Sequence, residues 1–87
     1  MRNIVFEVTA FEQFNQWITE DRKIYNKIIQ LINDIQRHPF EGIGKLEPLK
    51  YHLKGFWARR ITSEHRLIYK ITEKEIIIIS CKFHYRE

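Results

Sequence analysis

Between Pro39 and Tyr85 the chain gathers a lone carboxylate, a series of cations and a terminal His84–Tyr85 pair. Glu47 stands between Lys45 and Lys50, in a segment broken by Gly42, Gly44 and Pro48. Arg59, Arg60 and Arg66 follow, and Lys82 comes just before His84. These residue types match the needs of metal-free cleavage of an RNA phosphodiester. RNA carries its own nucleophile, the 2′-hydroxyl beside each phosphate. Cleavage needs a base for that proton, cations for the phosphate oxygens, and an acid for the leaving 5′-oxygen. Glu47 is the candidate base. Arg66, and Arg60 beside it, can grip a phosphate through two parallel hydrogen bonds. His84 is the candidate acid, because an imidazole ordinarily titrates at about 6.5. Tyr85 can stack on a base or hydrogen-bond the phosphate. Each residue also has a plainer reading: a solvated loop carboxylate, surface arginines, a histidine and a tyrosine near a chain end. His52 and His65 read as structural or exposed. From residues alone the result is a basic domain with an anion-binding face.

Composition narrows the classes. The 87 residues suit one domain spanning 1–87. An apolar share of 44% supports one core, and 14% aromatic residues argue against disorder. A net charge of +4 favours an anionic partner. One cysteine, Cys81, excludes an internal disulfide and suits a reducing compartment. The histidines and Cys81 fall at no usual metal-ligand spacing, so no metal and no cofactor are expected. The N-terminus reads as no signal peptide, and the four isoleucines at 76–79 are too short to span a bilayer. A cytoplasmic protein with no membrane association is expected.

These residues need a frame. Asn3 to Val8 reads as a strand. Thr9, with Glu12 three residues on, predicts a capping box for a first helix carrying Phe11, Phe14, Trp17 and Ile18 on one face. Asp21 predicts the cap of a second helix with the stripe Ile24, Ile28, Leu31, Ile32 and Ile35. Pro39 stops it. After a loop from Phe40 to Leu49, strands are expected at 51–53, 56–62, 66–72 and 75–85, joined by tight turns. The sum is an α+β domain of order β-α-α-β-β-β-β. Its helices pack on one face of a mainly antiparallel, twisted sheet.

Alternation along the strands places side chains two apart on one face. Leu67, Tyr69 and Ile71 should face the helices, as should Ile77, Ile79, Cys81 and Phe83. Arg66, Lys70, Lys82 and His84 should then share the open face. A turn at Glu73–Lys74 sets Lys70 opposite Ile77 and Arg66 near Cys81. Arg59 and Arg60 face opposite sides, and either could join the cluster.

The run PFEGIGKLEPLKYHLKGFWARRITSEHRLIYKI, with the ending Cys-Lys-Phe-His-Tyr, resembles the YoeB/Txe toxins of the RelE superfamily. These are mRNA-cleaving toxins of bacterial type II toxin–antitoxin pairs, and the resemblance covers nearly the whole chain. It implies a RelE-like fold. It also implies Glu47 as general base, Arg66 as stabiliser of the phosphorane, His84 as general acid and Tyr85 as the aromatic that orients the nucleotide. Lys50 and Arg60 match basic residues that serve phosphate contacts or site geometry. With Lys45, Arg59 and Lys82 they form the expected RNA- and ribosome-binding set. The implied partners are the 70S ribosome with its mRNA, a YefM-like antitoxin whose acidic tail wraps the toxin, and a second copy of the chain. Leu46 stands where the pattern has proline, Ala58 where serine is common, and Arg86–Glu87 extend past the usual terminal tyrosine.

Two other readings compete. A non-catalytic basic module could block translation by occupancy using the same arginines. A DNA-binding regulator is disfavoured, because the cations lie on strands and loops and no helix-turn-helix is legible.

Overall fold

The computed structural model describes residues 1–84. Strand β1 (Asn3–Phe6) leads into helices α1 (Val8–Glu20) and α2 (Arg22–Arg37). Strands β2 (Glu47–Pro48), β3 (Phe56–Arg60), β4 (Arg66–Ile71) and β5 (Glu75–Ser80) follow, with a 3₁₀ turn at Tyr51–Leu53. The sheet order is β1-β5-β4-β3-β2. β1 runs parallel to β5 and every other pairing is antiparallel, so the expected α+β order and layering are present.

The helices owe their limits to different causes. Asp21 closes one helix and opens the next. Its N–H donates to Trp17 O, and its Oδ1 accepts from the Lys23 and Ile24 N–H groups at 3.0 and 3.3 Å. The Thr9–Glu12 capping box does not form. α1 starts at Val8 behind an N-terminal Glu7 that makes no side-chain cap. Sheet pairing sets this start, because the Glu7 N–H is taken by Ile78 O and Glu7 O already accepts from Phe11. The α1 core face is accordingly Ala10, Phe14 and Trp17, while Phe11 and Ile18 are exposed. On α2, Ile28, Leu31, Ile32 and Ile35 are buried as expected. Each removes a side chain from water, worth about 1.5–3 kcal/mol. Phe14 ties the layers together, 5.1 Å from Phe6 and stacked on Tyr25 at 4.6 Å.

Three strand expectations need correction. Residues 51–53 form the 3₁₀ turn, and the second strand is Glu47–Pro48, in the stretch read as loop. The Leu49 N–H bonds Phe56 O, which commits 47–49 to β3 and leaves 50–55 to reverse the chain. That reversal uses left-handed backbone at Tyr51 (φ 55°) and Gly55 (φ 97°). Pro48, lacking an N–H, suits an edge strand. β5 stops at Ser80 rather than continuing to residue 85.

The third correction concerns faces. Lys70 does lie opposite Ile77, but Tyr69 pairs with Ile78, so Ile76 and Ile78 face the helices. Ile79 packs on the other side with Ile68, Ala58 and Leu49. The register then shifts between Ile68 and Tyr69, with Ser80 opposite Ile68. One extra residue reverses the parity of everything after it. Cys81 therefore returns to the helix side, fully buried. The shift also moves Arg66 past Cys81, and its N–H donates to Phe83 O at 3.1 Å.

No helix among the described residues is long and apolar enough to cross a membrane.

Candidate active site

On the open face, β3 presents Ala58 and Arg60. Glu47 of β2 pairs with Ala58, and Arg66 of β4 pairs with Arg60. His84 arrives from the tail beyond β5. Together with Lys45 these residues line a cavity of about 310 Å³. Its floor rests on the small apolar cluster of Leu49, Ala58 and Ile68.

The loop that delivers Glu47 is fastened from beneath by Arg59. This side chain is 0% exposed. Its Nη1 donates to Asp34 Oδ2 at 2.5 Å and Ile43 O at 3.2 Å, and its Nη2 to the carbonyls of His38 and Glu41 at 2.6 and 2.7 Å. Its Nε donates to Tyr69 Oη at 3.1 Å. Asp34 Oδ2 also accepts from the Ile43 N–H, and the Tyr69 hydroxyl donates to Pro39 O. Burial raises the Asp34 pKa. The Arg59 and Ile43 hydrogen bonds, with the charges of Arg59 and His38, outweigh this and hold the carboxyl below its ordinary 3.8. Burial pushes the Tyr69 hydroxyl up against the opposing pull of Arg59. At Gly42 (φ 117°) a Cβ would fall 2.0 Å from Asp34 Oδ2, so only glycine lets the loop close on this cluster. Gly44 O then accepts the Arg60 N–H at 2.6 Å, which sets the loop against β3 just before Lys45 and Glu47.

Two of the cavity's donors share one support. Arg66 Nη1 donates to the carbonyls of Thr62, Ser63 and His65 at 2.7, 3.2 and 3.1 Å. His84 Nε2 lies 3.0 Å from the same Ser63 O. A carbonyl accepts, so Nε2 carries a proton and Nδ1 is the nitrogen left for chemistry. Arg60 lines the cavity, and its Nε is buried without a hydrogen-bond partner among the described residues.

The structure thus brings together Lys45, Glu47, Arg60, Arg66 and His84. It does not bring Arg59, which faces the helices and holds the loop instead of an RNA phosphate. Nor does it bring Lys82, expected on the open face. The chain turns after the bulge, and Lys82 Nζ reaches α1, bonding Gln16 Oε1 at 2.9 Å and Glu20 Oε2 at 3.0 Å. Lys50 lies just past β2 and is exposed, apart from the described lining. Tyr85 lies outside the described residues. The sequence reading missed Asp34, Tyr69 and the Ser63 carbonyl. Only Asp34 left a trace, as a charged residue beside the apolar stripe of α2. Among the described residues no group of three or more His, Cys, Asp or Glu side chains could hold a metal ion.

Comparison with known proteins gives the family and the fold. The family model of the YoeB-like toxin of bacterial type II toxin–antitoxin systems matches residues 6–85. Toxin YoeB of Escherichia coli (strain K12) is 45% identical over 82 residues, covering 94% of this chain and 98% of its own. The YoeB dimer from Staphylococcus aureus superposes with a TM-score of 0.91 at 45% identity, covering 97% of this chain and 98% of that one. The heterotetrameric YoeB–YefM toxin–antitoxin complex from the same species gives 0.89 at 44%, covering 98% and 99%.

Proposed function

The chain belongs to the YoeB-like toxins of bacterial type II toxin–antitoxin systems, and from that membership we propose that it is an endoribonuclease cutting translated mRNA in the A site of the 70S ribosome. Glu47 takes the proton of the 2′-hydroxyl. The 2′-oxygen attacks the adjacent phosphorus, and the bond from phosphorus to the 5′-oxygen breaks. His84, entering the step as the imidazolium with its second proton on Nδ1, supplies that proton to the leaving oxygen. The products are a 3′ end bearing a cyclic phosphate and a new 5′-hydroxyl. Arg66, Arg60 and Lys45 hold the charge on the phosphate oxygens, which is greatest in the transition state. Tyr85 orients the nucleotide, and Lys50 meets the message or ribosome from the rim. No step calls on a metal.

The observation that carries this reading is the single cavity in which a loop carboxylate, two guanidinium groups and a tail imidazole converge. A YefM-like antitoxin is the proposed neutralising partner, with an acidic segment that covers the cationic cavity. The toxin's own proposed assembly is a homodimer.

The test is incubation with programmed ribosomes, followed by sizing of the message and mapping of its new ends. Glu47→Ala and His84→Ala should each slow cleavage by about 10²–10⁴-fold while the protein stays folded. Undiminished cleavage in both variants refutes the roles. Arrested translation with no new 5′ ends would favour occupancy over cleavage.

A further inference from the structure

β5 ends at Ser80, yet His84 must be delivered to the cavity. Residues 81–84 lie outside the strand, and side chains with one backbone bond hold them. Gln13 Oε1 accepts the Cys81 N–H at 2.7 Å, and Trp17 Nε1 donates to Cys81 O at 3.0 Å. Phe83, the residue before His84, is held differently. Its N–H donates to His65 Nδ1 at 2.8 Å, and its carbonyl accepts the Arg66 N–H. Phe83 has φ 65°, a left-handed conformation that an L side chain rarely adopts and that persists only where the surroundings impose it. The residue is 62% exposed, so burial does not impose it. The two backbone hydrogen bonds do.

His65 is built for this task. Its ring stands edge-on to Trp17 at 4.8 Å, which fixes its plane. Accepting an N–H at Nδ1 requires a free lone pair there, so the neutral ring carries its proton on Nε2. His65 does not line the cavity and touches no reacting atom.

We propose that His65 is a positioning residue, whose Nδ1 lone pair locks Phe83 in its left-handed turn and so aims His84 between Ser63 and the cavity. This rests on the reading of His84 as the general acid. The bland alternative is a histidine that merely packs on Trp17. Two substitutions separate them. Asparagine places its Oδ1 where the imidazole has Nδ1 and keeps an acceptor. Leucine keeps bulk against Trp17 but has none.

The experiment joins nuclear magnetic resonance of the ¹⁵N-labelled full chain to cleavage kinetics on programmed ribosomes. Wild type should show an unprotonated His65 Nδ1 with scalar coupling to the Phe83 amide nitrogen across the hydrogen bond. His65→Leu should speed Phe83 amide exchange by about tenfold or more. It should also lower kcat by about ten- to a hundredfold with little change in KM, because the acid is misaimed rather than lost. His65→Asn should stay within about threefold of wild type in both measurements. A protonated Nδ1 in wild type overturns the inference, as does native exchange and kcat in His65→Leu, or equal losses in both variants. Should His65→Leu fail to fold, the wild-type coupling decides. Full cleavage by His84→Ala overturns the acid role and this inference together. Normal dependence on His84 with unchanged cleavage in His65→Leu overturns the inference alone.

Discussion

Arg59 and Arg60 are adjacent on β3, and the sheet sends them to opposite sides. Arg59 enters the space under the helices, where an acid, a tyrosine hydroxyl and three carbonyls meet its nitrogens. Arg60 faces the cavity, held by its backbone to Gly44 O, with Nε lacking a hydrogen-bond partner among the described residues. A buried guanidinium is tolerable only when its donors are matched. Arg60 instead lines the cavity of the candidate site. The pair teaches that a basic stretch is not a uniform binding surface. One cation builds the loop that holds Glu47, and the next is available to a ligand.

The sharpest way to break this contrast is to remove each arginine in turn. Arg59→Ala takes from Asp34 its charged partner and from three part-buried carbonyls their donor. It should cost about 3–5 kcal/mol in chemical denaturation, enough to compromise a domain of this size. Arg60→Ala should shift stability by no more than about 1 kcal/mol. Its effect should fall on cleavage of programmed message, slowed by about tenfold or more as one phosphate clamp is lost. If Arg60→Ala unfolds the chain, or Arg59→Ala leaves denaturation unchanged, the division of labour is wrong.

Asp34 sharpens the helix side. Asp34→Asn keeps the shape but replaces the ion pair with Arg59 by a neutral hydrogen bond, and should cost about 1–3 kcal/mol near neutral pH. The sign with pH follows from the direction of its shift. The folded carboxyl titrates below 3.8, so its ionised form contributes stability above 3.8 and loses it as pH falls through the lower folded value. Denaturation midpoints of wild type and Asp34→Asn, measured down the pH scale, should therefore converge in acid. A gap that widens in acid would contradict the assignment.

The smallest effect concerns Cys81, on the helix side of the tail. Burial pushes its thiol up to about 12, against a weaker downward pull from Lys82. A thiol reacts as its thiolate. Iodoacetamide near pH 8 should leave the folded chain unmodified by mass spectrometry and alkylate it on unfolding. Rapid modification of the native protein would mean that the tail opens readily, and would weaken the anchoring of residues 81–83 to α1.

Much of this was legible beforehand, unevenly. Asp21 and the α2 stripe could be read because caps and helical periodicity are local. The β4–β5 pairing near its turn could also be read, since a short turn leaves little freedom in register. The Thr9–Glu12 box could not be judged locally, because pairing of Glu7 with Ile78 started the helix earlier. The inward face of β5 was misread because the bulge has no signature within four consecutive isoleucines. Glu47–Pro48 hid as a strand because two residues show no period. The placements of Arg59 and Lys82 depended on partners 25 and 62 residues away, at Asp34 and Glu20.

By itself the sequence determined the residue types of the candidate site, the order of elements, the buried face of α2 and the kinship. These follow from short-range rules of backbone period, capping and turns, and from matching residues. The tertiary structure alone decided which arginine faces the cavity, where the register slips, and how a left-handed Phe83 brings His84 to Ser63. Those outcomes depend on contacts between distant segments. A side chain's bearing in a sheet changes with a single inserted residue, and no local pattern records it.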